Sequence, residues 1–168
     1  MKLLVIRHAI AMDREEYAQG GQPDDFRPLT RKGARKMKRI AKALRKEIAT
    51  IDRLASSPYT RAVETARIVA DAFGIDDVGE SVSLMPDAPL DEFEEWCAAG
   101  DDHDVIAVVG HEPHLSSLIT WLLTGHEQSR VLLKKGGACL LEFEAPPLRS
   151  TGTMIWLLTP RQLVDLAE

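Results

Sequence analysis

Three short, largely apolar runs, each ending in polar side chains, constrain the fold of this chain most. They cover residues 3–6, 51–55 and 105–109 and predict buried strands. Packing poorly explains the arginines and histidines that follow them: Arg7 and His8 after the first run, Arg61 just beyond Ser56 and Ser57 after the second, and His111 beyond Gly110 after the third. Because parallel strands end at one edge of an α/β sheet, where ligands bind, these side chains predict a site there.

Strand-like runs alternate with helical patterns along the rest of the chain. Thr30 is the expected N-cap of a helix with apolar residues from Met37 to Ile48, and Gly74 and Gly125 are expected helix ends. Further strands are expected at residues 78–84, 138–143 and 153–158, and further helices at 63–73, 90–99 and 115–123. The pattern predicts one domain over residues 1–168, of the α/β class, with three α/β/α layers and a mostly parallel central sheet.

Composition narrows the class of protein further. The formal net charge of −5 argues against nucleic acid and anionic membrane as partners, and no apolar stretch is long enough to span a membrane. The first apolar run stops at Arg7, too early for a signal peptide, so a cytoplasmic location is expected. Cys97 and Cys139 lack metal-ligand spacing and are expected to be free buried thiols.

Two further segments have more than one interpretation. Residues 11–28 form a long irregular stretch of the kind that is usually functional or disordered, and it could form a lid. Arg27, at its end, could contact substrate or pair with Asp24 or Asp25. The basic cluster between Arg31 and Arg39 is more often a solvated helix face than a surface for an acidic partner.

The residues at the predicted sheet edge suit phosphate chemistry. Two guanidinium groups, from Arg7 and Arg61, match a multi-oxygen dianion such as phosphate. Like charges nearby favour the neutral form of His8, and a neutral imidazole is a nucleophile that could take up a phosphoryl group. His111 is better placed to donate to a phosphoryl oxygen.

Four segments of the chain resemble the histidine phosphatase superfamily, the phosphoglycerate-mutase-like group, and especially its small SixA-type phosphohistidine phosphatases. They are LVIRHA at residues 4–9, RPLTRKG at 27–33, SSPYTRAVETA at 56–66 and VVGHEP at 108–113. The resemblance implies that His8 is the nucleophile, that Arg7, Arg61 and His111 complete a phosphate pocket, and that no metal or other cofactor is needed. Arg27 and Ser57 are further candidates for substrate binding.

The chain departs from the family pattern at two points. Ala9 stands where the family has glycine, the residue suited to a positive φ angle. No clear general acid follows the third strand; Asp87, Asp91, Glu92 and Glu112 are unranked candidates. Because imidazole is a better leaving group than an alkoxide, a missing acid favours phosphohistidine as substrate.

These observations predict a phosphatase that acts on phosphohistidine of a signalling or phosphotransfer protein through a covalent intermediate on His8. One alternative is a phosphatase of the same superfamily that acts on a small phosphorylated metabolite. Another is a catalytically silent protein that binds phosphate.

Overall fold

The computed structural model describes residues 1–100 and 103–167, in which six strands form one sheet. The strands are β1 (Lys2–Arg7), β2 (Arg53–Ser56), β3 (Gly79–Glu80), β4 (Val105–Gly110), β5 (Ala138–Glu142) and β6 (Thr153–Leu158). Their order is β3-β2-β4-β1-β5-β6. The β3–β2, β2–β4 and β4–β1 pairs are parallel, while the β1–β5 and β5–β6 pairs are antiparallel. The sheet is therefore mostly parallel, as expected, with β1 and β4 in its middle.

Helices cover both faces of this sheet and make three layers. The described residues form the helices α1 (Arg14–Gln19), α2 (Arg31–Glu47), α3 (Thr60–Phe73), α4 (Leu90–Ala98), α5 (His114–Thr124) and α6 (Pro160–Leu166). All of them except α1 contribute buried residues to the core on one face of the sheet or the other. Leu4 and Ile6 of β1 pack with α2, α3 and α6, whereas Leu3 and Val5 pack with α4 and α5. Successive side chains of a strand point to opposite faces, so a run buried on both sides reads as continuously apolar. The predicted α/β/α architecture is confirmed.

Several helix ends lie where the sequence predicts them. Thr30 Oγ1 accepts a hydrogen bond from the Gly33 amide at 2.9 Å and caps α2. Gly74 and Gly125 end α3 and α5 in the left-handed conformation, with φ angles of 70° and 79°. Cys97 and Cys139 are buried free thiols, also as expected.

The strand expected at residues 78–84 is wrong over most of its length. Only Gly79–Glu80 pairs with β2, and Val82–Leu84 forms a 3-10 turn. The hydroxyl groups of Ser81 and Ser83 lie 2.7 Å apart. Ser83 and Leu84 are buried in succession while Val82 is 65% exposed, which is not the alternation of a strand. The buried Leu84 anchors this turn beneath α4 and α5.

Three further elements were not predicted. Residues 11–28 contain α1, which begins at the N-cap Asp13, and a 3-10 turn at Asp24–Phe26. Helix α6 begins with a capping box in which Thr159 and Gln162 bond reciprocally. None of the helices within residues 1–100 and 103–167 is long and apolar enough to cross a membrane.

Candidate active site

The end of β1 holds Arg7 and His8 between two neighbouring segments. The His8 amide donates to the Gly110 carbonyl at 3.0 Å, and the Arg7 amide donates to the Gly137 carbonyl at 3.1 Å. The Gly136 amide is shared between the carbonyls of Arg7 and His8, at 3.1 Å each. This backbone network fixes where both side chains leave the sheet.

The His8 ring has a defined tautomer. Its Nδ1 lies 2.7 Å from the Ala9 carbonyl oxygen. A carbonyl oxygen only accepts, so Nδ1 carries the proton and the lone pair lies on Nε2. Burial, followed by the positive charges of Arg61 and Arg7, lowers the pKa of His8 to about 3, against the opposing effect of the Ala9 carbonyl. The predicted neutral state is thus supported, although burial is a larger cause than the neighbouring charges.

His111 follows β4 directly and faces His8, with ring centroids 5.2 Å apart. Its Nε2 lies 2.8 Å from Ser57 Oγ. Since Ser57 Oγ already accepts from the Tyr59 amide at 3.3 Å, its own hydroxyl can donate to His111 Nε2. Burial lowers the pKa of His111 to about 2, so the ring is neutral. When the Ser57 hydroxyl donates to Nε2, the ring proton lies on Nδ1, a buried nitrogen without a partner among the described residues.

Arg61 lies in the first turn of α3, just after β2, and is 2% exposed. Its Nη1 donates to the Asp24 carbonyl at 2.8 Å, and its Nη2 pairs with the Asp24 carboxylate at 3.1 Å. Its backbone carbonyl accepts from Thr65 Oγ1, which in turn accepts from the Ala9 amide at 3.0 Å. These two hydrogen bonds connect the first turn of α3, which carries Arg61, to the turn that follows His8.

Asp24 joins the long 11–28 segment to the site. Its Oδ1 accepts from Arg27 Nε at 2.8 Å and lies 3.4 Å from Arg14 Nε. Burial raises the pKa of Asp24, but the hydrogen bond from Arg27 and the charge of Arg61 outweigh it, so the pKa is lowered. Arg27 therefore pairs with Asp24, one of its two expected partners, and it also lines the cleft described next.

These side chains surround one cleft of about 390 Å³ at the carboxyl end of β1 and β4. Five cationic side chains line it: Arg7, Arg14, Arg27, Arg61 and Lys135. Among the described residues, three buried nitrogens of its lining residues have no hydrogen-bond partner: Arg7 Nε, Arg61 Nε and His111 Nδ1. Since buried donors are normally paired, this set suits the oxygens of a tetrahedral anion. The cleft can hold such an anion beside the lone pair of His8.

The structure ranks the four carboxylates that the sequence left unranked. Glu112 lines the cleft. Burial raises the pKa of Glu112, against the lowering effects of Ser116 and Arg7, which favours a carboxylic acid that can donate a proton. Asp87, Asp91 and Glu92 are exposed and do not line the cleft.

Ala9 does not need the conformational freedom of glycine. Within the described residues, Ser150 is the one non-glycine residue with a positive φ angle. Ala9 is 3% exposed, and its amide is the donor to Thr65. The turn after β1 therefore accepts an alanine side chain.

The sequence-predicted residues Arg7, His8, Arg61, His111 and Arg27 meet at the cleft, whereas Ser57 lies behind His111. Sequence reasoning missed Arg14, Lys135 and the bridging role of Asp24. Only the Asp13 cap signal hinted at a helix that would carry Arg14. No three or more His, Cys, Asp or Glu side chains in the described parts of the chain are grouped to hold a metal ion.

Fold and site together define an α/β protein with a cationic cleft at the sheet edge, and comparison with known proteins gives its family. Residues 3–85 match the model of the histidine phosphatase superfamily (branch 1). A relative, an uncharacterized protein of Picosynechococcus sp., is 33% identical over 164 residues, which are 95% of this chain and 96% of the relative. The chain belongs to the histidine phosphatase superfamily, whose members are phosphatases.

Solved structures share its fold. The protein histidine phosphatase SixA complexed with tungstate superposes with a TM-score of 0.78 at 21% identity, covering 97% of this chain and 99% of SixA. The α-ribazole phosphatase from Shigella flexneri superposes with a TM-score of 0.74 at 17% identity, covering 95% and 97% of the two chains. At such identities the likeness concerns the fold, and the two neighbours differ in substrate.

Proposed function

We propose that this chain, working as one domain over residues 1–168, hydrolyses phosphohistidine on another protein through a covalent intermediate on His8. Support comes from the cleft, which sets a neutral imidazole with its lone pair on Nε2 beside three unpartnered donors. The shared fold with SixA agrees with this substrate class. The signalling role, the cytoplasmic location and independence from cofactors stay predictions.

The reaction runs in two displacements. The Nε2 lone pair of His8 attacks phosphorus, and the phosphorus–nitrogen bond of the substrate breaks as the new one forms. The departing imidazole keeps the electron pair of the broken bond and takes up a proton from solvent. Water then attacks phosphorus on His8, and the bond to Nε2 breaks with its electron pair returning to Nε2. Orthophosphate leaves, and the attacking water gives up a proton to solvent.

The other cleft residues stabilise charge on the transferring group. Arg7, Arg61 and the Nδ1–H of His111 donate to its three oxygens, where negative charge concentrates. Asp24 positions Arg61, because its backbone carbonyl accepts from Nη1 and its carboxylate pairs with Nη2 of the guanidinium group. Ser57 also acts indirectly, because its hydroxyl group holds the tautomer of His111.

The test compares hydrolysis of a phosphohistidine-bearing peptide with that of p-nitrophenyl phosphate, for the wild type and His8→Ala. We expect release of phosphate from the peptide by the wild type and none by the variant, because the variant lacks the nucleophile. Tungstate binding to His8→Ala, followed by calorimetry, checks that the rest of the cleft remains. Wild-type rates in the variant would refute the assignment of His8. No turnover by the wild type on either substrate would favour the silent phosphate binder.

One observation favours the second candidate function, a phosphomonoesterase acting on a small metabolite. Glu112 lies in the cleft with a raised pKa, so it can protonate an alkoxide leaving group. We expect Glu112→Gln to lower kcat on a monoester by about a hundredfold, within the usual range for a general acid. The same change should alter phosphohistidine hydrolysis only a few fold.

Glu92→Gln is the matched control, since Glu92 is exposed and outside the cleft. Equal losses on both substrates in Glu112→Gln would contradict a role confined to the leaving alkoxide. A wild type that prefers the monoester would make the metabolite phosphatase the better assignment.

A further inference from the structure

Helix α2 carries more positive charge than any other helix or strand of the described residues, although the chain as a whole is acidic. Nine of its 17 residues are Lys or Arg, and one, Glu47, is acidic. The whole chain holds 21 basic and 26 acidic residues. The apolar residues of α2 pack into the core, and its basic residues are exposed or half-buried. We call this the α2 basic face; its members are Arg31, Lys32, Arg35, Lys36, Lys38, Arg39, Lys42, Arg45 and Lys46.

Folding does not account for this charge. Positions four apart on a helix are neighbours, and like charges there repel, as in the pairs Arg31–Arg35, Lys32–Lys36 and Lys38–Lys42. No carboxylate within residues 1–100 or 103–167 forms an ion pair with any of these six side chains. Arg45 and Lys46 bond to carbonyl groups at the far end. Among the described residues, no ion pair relieves the repulsion in these three pairs.

The α2 basic face begins beside the cleft. The Thr30 amide donates to the Ile10 carbonyl at 2.9 Å, two residues after His8. Ala11 pairs with Leu29 and also lines the cleft. With a rise of 1.5 Å per residue, the face extends about 23 Å from Arg31 to Lys46. Positive charge therefore continues from the cleft along one side of the molecule.

We infer that the α2 basic face docks an acidic surface of the protein whose phosphohistidine enters the cleft. The inference rests on the proposed function, because a phosphoprotein must present its modified side chain and its own surface together. Complementary charge of this kind mainly raises the rate of encounter and selects the partner. A small phosphorylated metabolite would leave the face unused.

The experiment uses two synthetic peptides with one phosphohistidine and a short Gly-Ser spacer, followed by six glutamates or six glutamines. The protein variant is Lys32→Glu, Arg35→Glu and Lys38→Glu combined. The introduced carboxylates lie four residues before Lys36, Arg39 and Lys42, a favourable spacing, so α2 should stay folded. The control combines Lys2→Glu, Arg130→Glu and Arg161→Glu, which changes net charge equally at exposed sites elsewhere.

We expect the wild type and the control to favour the glutamate peptide by about tenfold in kcat/KM at low salt, and by less in 0.5 M NaCl. The α2 variant should lose this preference and hydrolyse the glutamine peptide unchanged. Equal preference in wild type and α2 variant would overturn the docking surface while leaving the proposed function intact. So would α2-dependent binding confined to anionic phosphatidylglycerol vesicles.

Two further measurements distinguish failure of the docking surface from failure of the proposed function. Free phosphohistidine serves as the substrate for basal activity, and its hydrolysis tests the reaction without the surface. Fluorescence anisotropy of the unphosphorylated glutamate peptide measures docking without the reaction. Weaker peptide binding in the α2 variant than in the control is expected; equal binding refutes the α2 basic face as a docking site.

Discussion

Ser56 and Ser57 are neighbouring buried hydroxyl groups with different surroundings. Ser57 Oγ lies 2.8 Å from His111 Nε2, whereas Ser56 Oγ is buried without a partner among the described residues. A hydrogen bond at Nε2 decides which nitrogen of a neutral imidazole carries the proton. Substituting each serine in turn therefore distinguishes a positioning role of Ser57 from an effect of burial alone.

We expect Ser57→Ala to lower kcat about tenfold, because His111 loses its fixed tautomer and orientation. Ser56→Ala should leave kcat unchanged, since no hydrogen bond is lost. Steady-state rates on a phosphohistidine peptide, with tungstate affinity measured beside them, check this. Equal effects of both substitutions would mean that Ser57 acts only through packing.

For single residues, the sequence predicted site positions where a polar side chain stands at a place that packing alone does not explain. Arg7, His8 and His111 directly follow strands, and a charge or imidazole there points to a ligand. Lys135 and Arg14 gave no such signal, because their approach to the cleft depends on how the loop before β5 and helix α1 lie against it. The four carboxylates could be ranked only once the fold was known, because Glu112 alone of them lines the cleft and the other three are exposed.

Helix α2 and the turn after β1 approach each other unusually closely at Gly33. A Cβ atom at Gly33 would lie 2.1 Å from the Ile10 carbonyl oxygen and 2.9 Å from its carbon. Both are backbone atoms, so neither can move aside without shifting α2 or the turn that follows His8. The packing of α2 is therefore coupled to the position of the turn that follows His8.

We expect Gly33→Ala to destabilise the protein by about 2 kcal/mol, in the range found for overpacked cores, and to reduce activity as well. Gly79→Ala is the control, since its Cβ would meet its nearest neighbours at an ordinary 3.7 Å. Urea unfolding and kcat of both variants provide the check. Wild-type stability in Gly33→Ala would show that the turn adapts without cost.

Elements were predictable where local signals and burial agree. Thr30, Gly74 and Gly125 supplied caps that the structure uses, and continuous apolar runs supplied β1 and β4. The expected strand at 78–84 failed because Leu84 is held by α4 and α5, a contact between distant residues. Helix α6 had its signal, the pair Thr159 and Gln162 around Pro160, and could have been found.

Over the whole molecule, three buried histidines link stability to pH. Burial lowers the pKa of His8 to about 3, of His111 to about 2 and of His114 to about 4. In the unfolded chain these groups titrate near ~6.5. Between pH 6.5 and 4 the unfolded state therefore binds more protons, and the free energy of unfolding falls as the solution is acidified.

Each of these histidines adds a slope approaching about 1.4 kcal/mol per pH unit in that window. We expect Tm, followed by circular dichroism, to fall steeply from pH 6.5 to 4. His114→Asn should flatten the curve, whatever its effect at pH 7, while substitution of the exposed His126 by Asn should not. Parallel curves for all three proteins would contradict burial of a neutral His114.

The five cationic side chains around the cleft also bear on how the protein responds to free phosphate. Free orthophosphate resembles the phosphoryl group in charge and in its several oxygens, so the same side chains can bind it. We therefore expect free phosphate to compete with every substrate for these cationic side chains. The rate measured for this protein would then depend on how much inorganic phosphate is present in the surrounding solution.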